Sequence, residues 1–293
     1  MIMNLNSTVT LNNGVEMPRL GFGVWQTSNA VATDSVRMAI KHGYKSIDTA
    51  KKYGNEPGVG EGLTRGLAEN GLKRSDIFLT TKIFIGDQGY QSTLDAFAGQ
   101  LKSLQTDYVD LVLIHWPVPG KYLDTWRALE KLYRDGKIRA IGVSNFNIIR
   151  LKNLLKHCSI KPVLNQMEFN PLEQEADIKA FCDAHDIQME AWSPLGHGSA
   201  LTHPVIMGLA EKYDKTPAQI IIRWELQRGI ITIPKSTHEE FIASNTKVFD
   251  FELADADINA INALDLDKRS GWYGDWQVFG NPNGKPTAVE NRD

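Results

Sequence analysis

Four side chains of complementary chemistry stand at or just beyond the ends of short β-rich runs in this sequence. An acid, Asp48, and a phenol, Tyr53, lie five residues apart, and Lys82 and His115 close two later runs. A phenol with a pKa of about 10 is a poor acid at neutral pH. A nearby ammonium group lowers that pKa by stabilising the phenolate, and a carboxylate keeps the amine charged and in place. The set therefore predicts that Tyr53 donates a proton to a carbonyl oxygen, which His115 orients.

Each of the four residues also has a purely structural interpretation. Asp48 and Lys82 could form an ion pair between buried strands, His115 could be a core residue, and Tyr53 could cap the fold. Four such groups gathered at one place favour a functional site over four separate structural roles. Because no side chain supplies hydride, a reduction carried out by this set needs a cofactor.

The elements that must position these residues alternate between strand-like and helix-like segments. The start, TVTLNNGVEMP, is typical of a β-hairpin that turns at Asn13-Gly14. Helical patterns of 3.6-residue period separate the later runs, and Thr216 with Gln219 is typical of a capped helix start. The eight β-rich runs that follow the hairpin are Leu20–Trp25, Lys45–Asp48, Ile77–Lys82, Val109–His115, Ala140–Val143, Pro162–Gln166, Gln188–Trp192 and Ile230–Ile233.

Eight strands with helices between them predict an α/β fold, a closed (β/α)₈ barrel that takes up residues 1–293 as one domain. The hairpin would precede the barrel, and a Gly- and aromatic-rich C-terminal loop would follow it and set specificity. Runs such as VDLVLI are apolar except for Asp110 and do not alternate, as expected for strands buried on both faces. A doubly wound sheet is the alternative. However, no G-x-G-x-x-G follows the first run, and Gly58, Gly60 and Gly62 have the wrong spacing and fall inside a predicted helix.

Composition narrows the class of protein further. The chain has 293 residues, of which 42% are hydrophobic and 23% charged, with a net charge of −3. This balance gives no reason to expect nucleic-acid or membrane binding. The two cysteines follow no metal-ligand spacing, and the N-terminal residues resemble no signal peptide. A cytoplasmic enzyme that needs no metal is the prediction.

Several motifs occur in an order that identifies a family. They are GFGVWQ, IDTAKKYGNE, TKIF, DLVLIHWP, IGVSNF, NQMEFNP, AWSPLG and IPKS. Over essentially its whole length the sequence resembles the aldo-keto reductases, and most of all the prokaryotic members that reduce small dicarbonyls and sugar-derived ketones. The resemblance implies reduction of aldehydes and ketones by NADPH, through direct hydride transfer, in a monomeric enzyme.

The resemblance also implies a role for particular residues. Asp48, Tyr53, Lys82 and His115 would form the catalytic tetrad, in agreement with the chemical interpretation. Trp25 and Trp116 would line the substrate pocket, and Trp272 in the tail would help to close it. The residues implied in cofactor binding are Ser144, Asn145, Gln166 and Trp192 for the nicotinamide, Ser193, Pro194, Leu195 and Gly196 for the pyrophosphate, and Lys235, Ser236, Thr237, His238, Phe241 and Asn245 for the adenosine end.

Two departures from the family pattern stand out. Phe241 occupies the position of an arginine that usually pairs with the 2′-phosphate of NADPH, so we expect a weaker preference for NADPH and plausible use of NADH. Lys51 and Lys52 precede the tyrosine where the second residue is usually apolar and faces the substrate. Either both lysines point to solvent, or Lys52 attracts an anionic group such as the carboxylate of a keto acid.

Two other functions remain open at this point. In the first, Lys82 forms a Schiff base with a carbonyl substrate, while Asp48 and Tyr53 shuttle protons. That function leaves the cofactor-like motifs unexplained. In the second, the barrel binds the cofactor as a non-catalytic sensor, because a fold by itself does not determine function.

Overall fold

The computed structural model describes residues 3–266. Within them, the strands are β1 Thr8–Thr10, β2 Glu16–Pro18, β3 Phe22–Gly23, β4 Ser46–Asp48, β5 Phe78–Ile83, β6 Val109–Ile114, β7 Ile138–Ser144, β8 Leu164–Glu168, β9 Gln188–Trp192 and β10 Ile231–Thr232. The helices are α1 Asn29–Lys41, α2 Glu56–Glu69, α3 Tyr90–Ser103, α4 Tyr122–Arg134, α5 Ile148–His157, α6 Ala176–Ala184, α7 Pro204–Tyr213, α8 Pro217–Gln227, α9 Glu239–Ser244 and α10 Asp255–Asn262. The predicted loop that contains Trp272 lies outside the described residues.

The eight strands β3 to β10 form one parallel sheet in sequence order. Its two edges meet, because Leu20 forms a parallel bridge with Thr232 and the Gly21 N–H donates to the Thr232 carbonyl at 2.9 Å. The predicted (β/α)₈ barrel is therefore confirmed. The carboxyl ends of all eight strands lie at one rim, which is where Asp48, Lys82 and His115 are found.

The apolar strand runs serve two separate cores. Along β6, Leu111 and Leu113 pack inside the barrel, whereas Val112 and Ile114 pack against the surrounding helices. Successive side chains of a strand point to opposite faces, so a strand between two cores has no polar face. This arrangement explains why apolar and polar residues do not alternate along VDLVLI. The predicted burial of this strand on both faces is confirmed.

The N-terminal hairpin closes the end of the barrel at which the parallel strands begin. β1 and β2 pair antiparallel, with Val9 opposite Met17, and Gly14 in the connecting turn has a φ of +82°. Leu11 and Met17 belong to the inner core, together with Leu111 and Leu164. The predicted hairpin is present, and it plugs the end of the barrel that lies opposite the site.

The glycines of α2 permit an unusually close helix contact. A Cβ on Gly58 would lie 2.2 Å from the Asn29 carbonyl oxygen of α1, and one on Gly62 would lie 2.8 Å from the Thr33 carbonyl oxygen. Only glycine allows the two backbones to approach this closely. The glycine run is thus a packing surface inside a helix, which agrees with its rejection as a phosphate-binding loop.

The predicted helix start at Thr216 also agrees with the structure. Thr216 caps α8 with the predicted capping box, since its hydroxyl accepts from the Gln219 N–H and the Gln219 side chain accepts from the Thr216 N–H. No helix among residues 3–266 combines the length and apolar character that a bilayer crossing requires. No cluster of three or more potential metal ligands occurs in the same residues.

Candidate active site

The catalytic candidates are held by three neighbouring strands and one short turn at the carboxyl rim. β4 ends at Asp48, and a short 3₁₀ turn, Lys51–Tyr53, follows it and ends at Gly54 with a φ of +68°. Lys82 is part of β5, and His115 directly follows β6. Neighbouring parallel strands bring these side chains together, although they are far apart in the sequence.

Two buried side chains fix the segment that carries Tyr53. The Asn55 amide donates to the Val24 carbonyl at 2.8 Å and accepts from the Thr49 hydroxyl at 2.9 Å. Glu56 accepts from the Thr81 hydroxyl at 2.6 Å and from Gln100 at 2.9 Å. Both residues belong to the motif IDTAKKYGNE, which by itself does not show that they hold Tyr53. Their lack of exposure indicates a role in holding Tyr53 over the barrel.

Lys82 is the centre of the group. Its ammonium donates to Asp48 Oδ1 at 2.6 Å, to the Thr49 carbonyl at 3.0 Å and to the Tyr53 hydroxyl at 3.3 Å. The side chains of Lys82 and Asp48 are 0% and 3% exposed. All three donors of the ammonium are used, so the amine has one fixed orientation, with one bond to the phenol.

Burial and neighbouring charges together determine the protonation of Lys82 and Tyr53. Burial favours the neutral amine, but the attraction of Asp48 and Tyr53 outweighs it and raises the pKa of Lys82 to about 12. For Tyr53, burial dominates and raises the pKa, and the opposing effect of Lys82 does not overcome it. Lys82 does lower the pKa of Tyr53, as expected. The expectation that the pKa falls overall is wrong, because burial raises it by more than Lys82 lowers it. Tyr53 therefore carries its proton at neutral pH.

His115 is neutral at this position. Burial lowers its pKa well below the ordinary value, and the positive charges of Lys82 and Lys52 lower it further. Its ring meets that of Tyr53 edge-on, with 5.8 Å between the centroids. Its Nδ1 is buried without a hydrogen-bond partner among the described residues. A neutral imidazole beside the phenol fits the predicted orienting role, since it adds no charge that would compete for the substrate oxygen.

One buried acid, Glu190, joins this group without having been predicted from the sequence. Glu190, in the middle of β9, accepts from the Gln166 side-chain amide at 2.6 Å, and the same amide donates to Asp48 Oδ2 at 2.9 Å. Burial, followed by the charge of Asp48, raises the pKa of Glu190 to about 8. A single glutamate in the run QMEAW carries no sequence signal of such a role.

The residues predicted to hold a nicotinamide form a continuous wall beside the tetrad. The Trp192 indole donates to Asn145 Oδ1 at 2.9 Å, and the Asn145 amide donates to the His115 carbonyl at 3.0 Å. The Ser144 hydroxyl donates to the Gln166 carbonyl at 2.9 Å. Asn145 and Ser193, at the ends of β7 and β9, have left-handed φ values of +63° and +51°, and strain of this kind is common at functional sites.

The loop after β9 continues this wall. In it, Pro194 and Gly196 are buried, while Ser193 and Leu195 are partly exposed. The Ser193 hydroxyl lies 2.9 Å from His197 Nε2, and the His197 ring centroid lies 5.6 Å from that of Trp25. His197 was not predicted from the sequence, because a single exposed histidine on a loop forms no recognisable pattern.

The residues predicted for the adenosine end lie between β10 and the end of α9. Lys235 and His238 are exposed, Ser236 and Thr237 are partly exposed, and Asn245 is buried. Phe241 is 54% exposed and meets the His238 ring edge-on at 5.6 Å. Glu239 is paired with Lys41 at 2.8 Å and with His42 at 2.9 Å. An ammonium, two hydroxyls and a flat apolar ring suit a phosphorylated adenosine, so the residues fit the group that the family pattern implies.

The two lysines that precede Tyr53 have different surroundings. Lys51 forms an ion pair with Asp87 at 2.8 Å. The Lys52 ammonium lies 5.0 Å from the centroid of the Phe84 ring, and it is near enough to His115 to lower the pKa of the imidazole. Trp25 and Trp116 are both partly exposed at the same rim. The Lys52 side chain is thus exposed and lies beside Phe84, whereas Lys51 is paired with Asp87.

Comparison with known proteins gives a consistent result. The model of the aldo/keto reductase family matches residues 19–266. The chain is 52% identical over 280 residues to glyoxal reductase of Bacillus subtilis (strain 168), with coverage of 95% of this chain and 100% of that protein. It is 42% identical over 269 residues to methylglyoxal reductase DkgA of Escherichia coli (strain K12), with coverage of 90% and 96%. The crystal structure of a Bombyx mori aldo-keto reductase in complex with NADP matches with a TM-score of 0.91 and 32% identity, over 96% of this chain and 100% of that one.

Proposed function

The chain belongs to the aldo/keto reductase family, and on that basis we propose that it reduces small aldehydes and ketones to alcohols with NADPH, with Tyr53 as the general acid. The observation that carries the assignment of Tyr53 is the ammonium of Lys82, which donates to both Asp48 and the phenol. A buried amine without a charge partner would be neutral and available for a Schiff base. Here Asp48 keeps it charged, which argues against the Schiff-base function.

Each member of the tetrad has a defined part in the reaction. NADPH supplies the hydride that none of the side chains can provide. As hydride reaches the carbonyl carbon, negative charge grows on the oxygen, and the Tyr53 hydroxyl gives its proton to that oxygen. Lys82 stabilises the phenolate that remains, and Asp48 holds Lys82 in place. The neutral His115 ring lies beside the phenol and orients the carbonyl oxygen.

The cofactor would lie along the residues that form the wall beside the tetrad. Trp192 offers a flat ring for the nicotinamide, with Ser144, Asn145 and Gln166 at its edge. The loop Ser193, Pro194, Leu195 and Gly196 would carry the pyrophosphate. Lys235, Ser236 and Thr237 would hold the 2′-phosphate, with His238, Phe241 and Asn245 around the adenine. Because Phe241 replaces an arginine, we propose that NADH also serves, although less well than NADPH.

We propose small dicarbonyls and carbonyl compounds with an anionic group, such as 2-keto acids or keto-sugar acids, as substrates. Lys52 supports the second class, because its ammonium lies over Phe84 at the rim near His115. Trp25 and Trp116 would flank the same substrate, and Trp272 stays a prediction because it lies outside the described residues. An exposed ammonium about 4 Å from a carboxylate contributes roughly 1 kcal/mol in water. This corresponds to about a fivefold change in KM.

One assay tests the reaction and the role of Lys52 together. The fall in NADPH absorbance is followed with glyoxal, methylglyoxal, a neutral aldehyde and a 2-keto acid, for the natural chain and for Tyr53→Phe. Loss of general acid catalysis lowers kcat by roughly 10²–10⁴-fold. Tight NADPH binding without turnover of any of these carbonyls would favour the sensor function instead.

Lys52→Met, with Lys51→Met as its matched control, tests whether the enzyme prefers anionic substrates. We expect Lys52→Met to raise KM about fivefold for the 2-keto acid and not for the neutral aldehyde. Lys51→Met should change neither, because Asp87 already neutralises that ammonium. Equal effects of Lys52→Met on both substrates would refute the anionic class. That the chain is one domain over residues 1–293, acts as a monomer and resides in the cytoplasm stay predictions.

A further inference from the structure

Glu190 is a buried acid that the reaction as written does not use. It lies in β9, directly opposite Gln166 of β8 in the parallel register, and it is 0% exposed. Both side chains point into the barrel, where they meet the Asp48–Lys82 pair. A carboxyl group in this position needs a reason, because an acid buried without compensation destabilises a fold.

The contacts of Glu190 lead directly to the proton donor. Gln166 Nε2 donates to Glu190 Oε2 at 2.6 Å and to Asp48 Oδ2 at 2.9 Å. Asp48 Oδ1 accepts from Lys82 at 2.6 Å, and Lys82 donates to the Tyr53 hydroxyl at 3.3 Å. An unbroken series of hydrogen bonds therefore joins Glu190 to the phenol. The Gln166 amide is its middle member, and the same amide lies in the proposed nicotinamide site.

The surroundings of Glu190 favour its neutral form at neutral pH. The ionisable groups that interact with it are Asp48 from β4, Lys82 from β5 and Tyr53 from the 3₁₀ turn. Burial and the Asp48 charge raise the pKa of Glu190 to about 8. Its Oε1 is buried without a hydrogen-bond partner among the described residues, which disfavours a full negative charge there. Ionisation would add a negative charge beside the site only when the pH rises above this range.

We propose that Glu190 is a positioning residue, which holds the Gln166 amide against Asp48 while neutral and favours the oxidised over the reduced cofactor when it ionises. The inference rests on the proposed function, because it requires a nicotinamide beside Gln166. An oxidised nicotinamide is positively charged and a reduced one is neutral, so a carboxylate nearby discriminates between them. By linkage, binding of the oxidised cofactor must then promote loss of the proton from Glu190.

The experiment compares the affinities of both cofactor forms across pH. Quenching of tryptophan fluorescence gives Kd for NADPH and for NADP⁺ without turnover, from about pH 6 to about pH 9.5. The ratio of the two Kd values cancels the titration of the phosphates that the two forms share. We expect the ratio Kd(NADPH)/Kd(NADP⁺) of the natural chain to rise about fivefold or more over this range, which is the lower end of typical coupling between sites.

Glu190→Gln keeps the shape and an acceptor oxygen but cannot ionise, so its ratio should not change with pH. Glu225→Gln is the matched control, because Glu225 is also fully buried and its pKa is raised well above the ordinary value by burial, but it lies on α8 and is not part of the hydrogen-bond series. Its ratio should follow that of the natural chain. A pH-dependent ratio that survives in Glu190→Gln would overturn the proposal, even if the variant melts at a lower temperature.

A second measurement needs no variant. In weakly buffered solution near pH 8, a pH indicator should report more proton release when NADP⁺ binds than when NADPH binds. Equal release for the two forms would also overturn the proposal. Both measurements distinguish a failure of this proposal from a failure of the proposed function. A chain that binds both forms with a constant ratio refutes only the role of Glu190, whereas a chain that binds neither form refutes the reductase.

Discussion

Removal of the Lys82 ammonium should separate the stability of the site from its chemistry. In Lys82→Met, Asp48 keeps one donor, the Gln166 amide at 2.9 Å, and loses the ammonium at 2.6 Å. The Asp48 side chain is 3% exposed, so water cannot replace the lost partner. Breaking a buried ion pair from one side typically destabilises a protein by about 3–5 kcal/mol. For a chain of this size that is roughly 6–20 °C in melting temperature.

The double variant Lys82→Met/Asp48→Asn is the control for this mechanism. With both charges absent, the destabilisation should largely disappear, because replacing both partners of a buried pair is often close to neutral. Activity should not return, because neither variant retains the group that stabilises the Tyr53 phenolate. We expect both to lose roughly 10²–10⁴-fold in kcat. Calorimetry supplies the melting temperatures, and NADPH oxidation with methylglyoxal supplies kcat.

The order of the melting temperatures decides between the two explanations. At neutral pH, Lys82→Met should melt below both the natural chain and the double variant, because only the single variant leaves the Asp48 charge buried without its ammonium partner. Equal melting temperatures of the single and double variants would refute the reasoning.

Three further predictions follow from the same structure. Burial raises the pKa of Glu225, so the stability that this residue contributes is present below about pH 4.5 and is lost as the pH rises. Denaturant titrations at about pH 8.5 should therefore find Glu225→Gln about 1–3 kcal/mol more stable than the natural chain. No such gain is expected in acid. Phe241→Arg should raise the ratio of kcat/KM for NADPH over NADH about tenfold, and an unchanged ratio would show that residue 241 does not reach the phosphate. Gly58→Ala should lower stability by about 1–3 kcal/mol, because the new Cβ would lie 2.2 Å from the Asn29 carbonyl oxygen. A Cβ on the helical Gly99 would have no atom within 4 Å apart from its chain neighbours and the nearby backbone of its own helix, so Gly99→Ala should be neutral or slightly stabilising. Equal losses in the two variants would contradict the packing account.

The sequence predicts the barrel well, because its strands have strong local signals. The run Gln188–Trp192 is a strand with the predicted bounds, and the apolar character of 109–114 correctly indicated burial on both faces. The tetrad could be assembled because its members lie at or just beyond strand ends, and the strand ends of one barrel converge. Local pattern and barrel topology were sufficient for these features.

Other features depend on distances across the barrel that no local pattern contains. Gln166 and Asp48 are 118 residues apart in the sequence but share a hydrogen bond, and this contact makes Glu190 part of the site. The sequence identified the ammonium beside Tyr53 but not the depth of burial, which reverses the net direction of the pKa. Lys51 and Lys52 are neighbours in the chain, and only the 3₁₀ turn sends one to Asp87 and the other to Phe84.

The close contact between α1 and α2 has a consequence for the proton donor. α2 begins at Glu56, three residues after Tyr53, so the height of the phenol above the barrel depends on where this helix sits. The position of α2 is determined in the helical layer around the barrel, where Gly58 and Gly62 contact α1 rather than the site. A small displacement of α2, such as an added methyl group would cause, moves the hydroxyl relative to Lys82 and weakens a bond that is already 3.3 Å long. Substitutions in the outer helical layer can thus retune the rate of proton transfer while every catalytic residue stays the same.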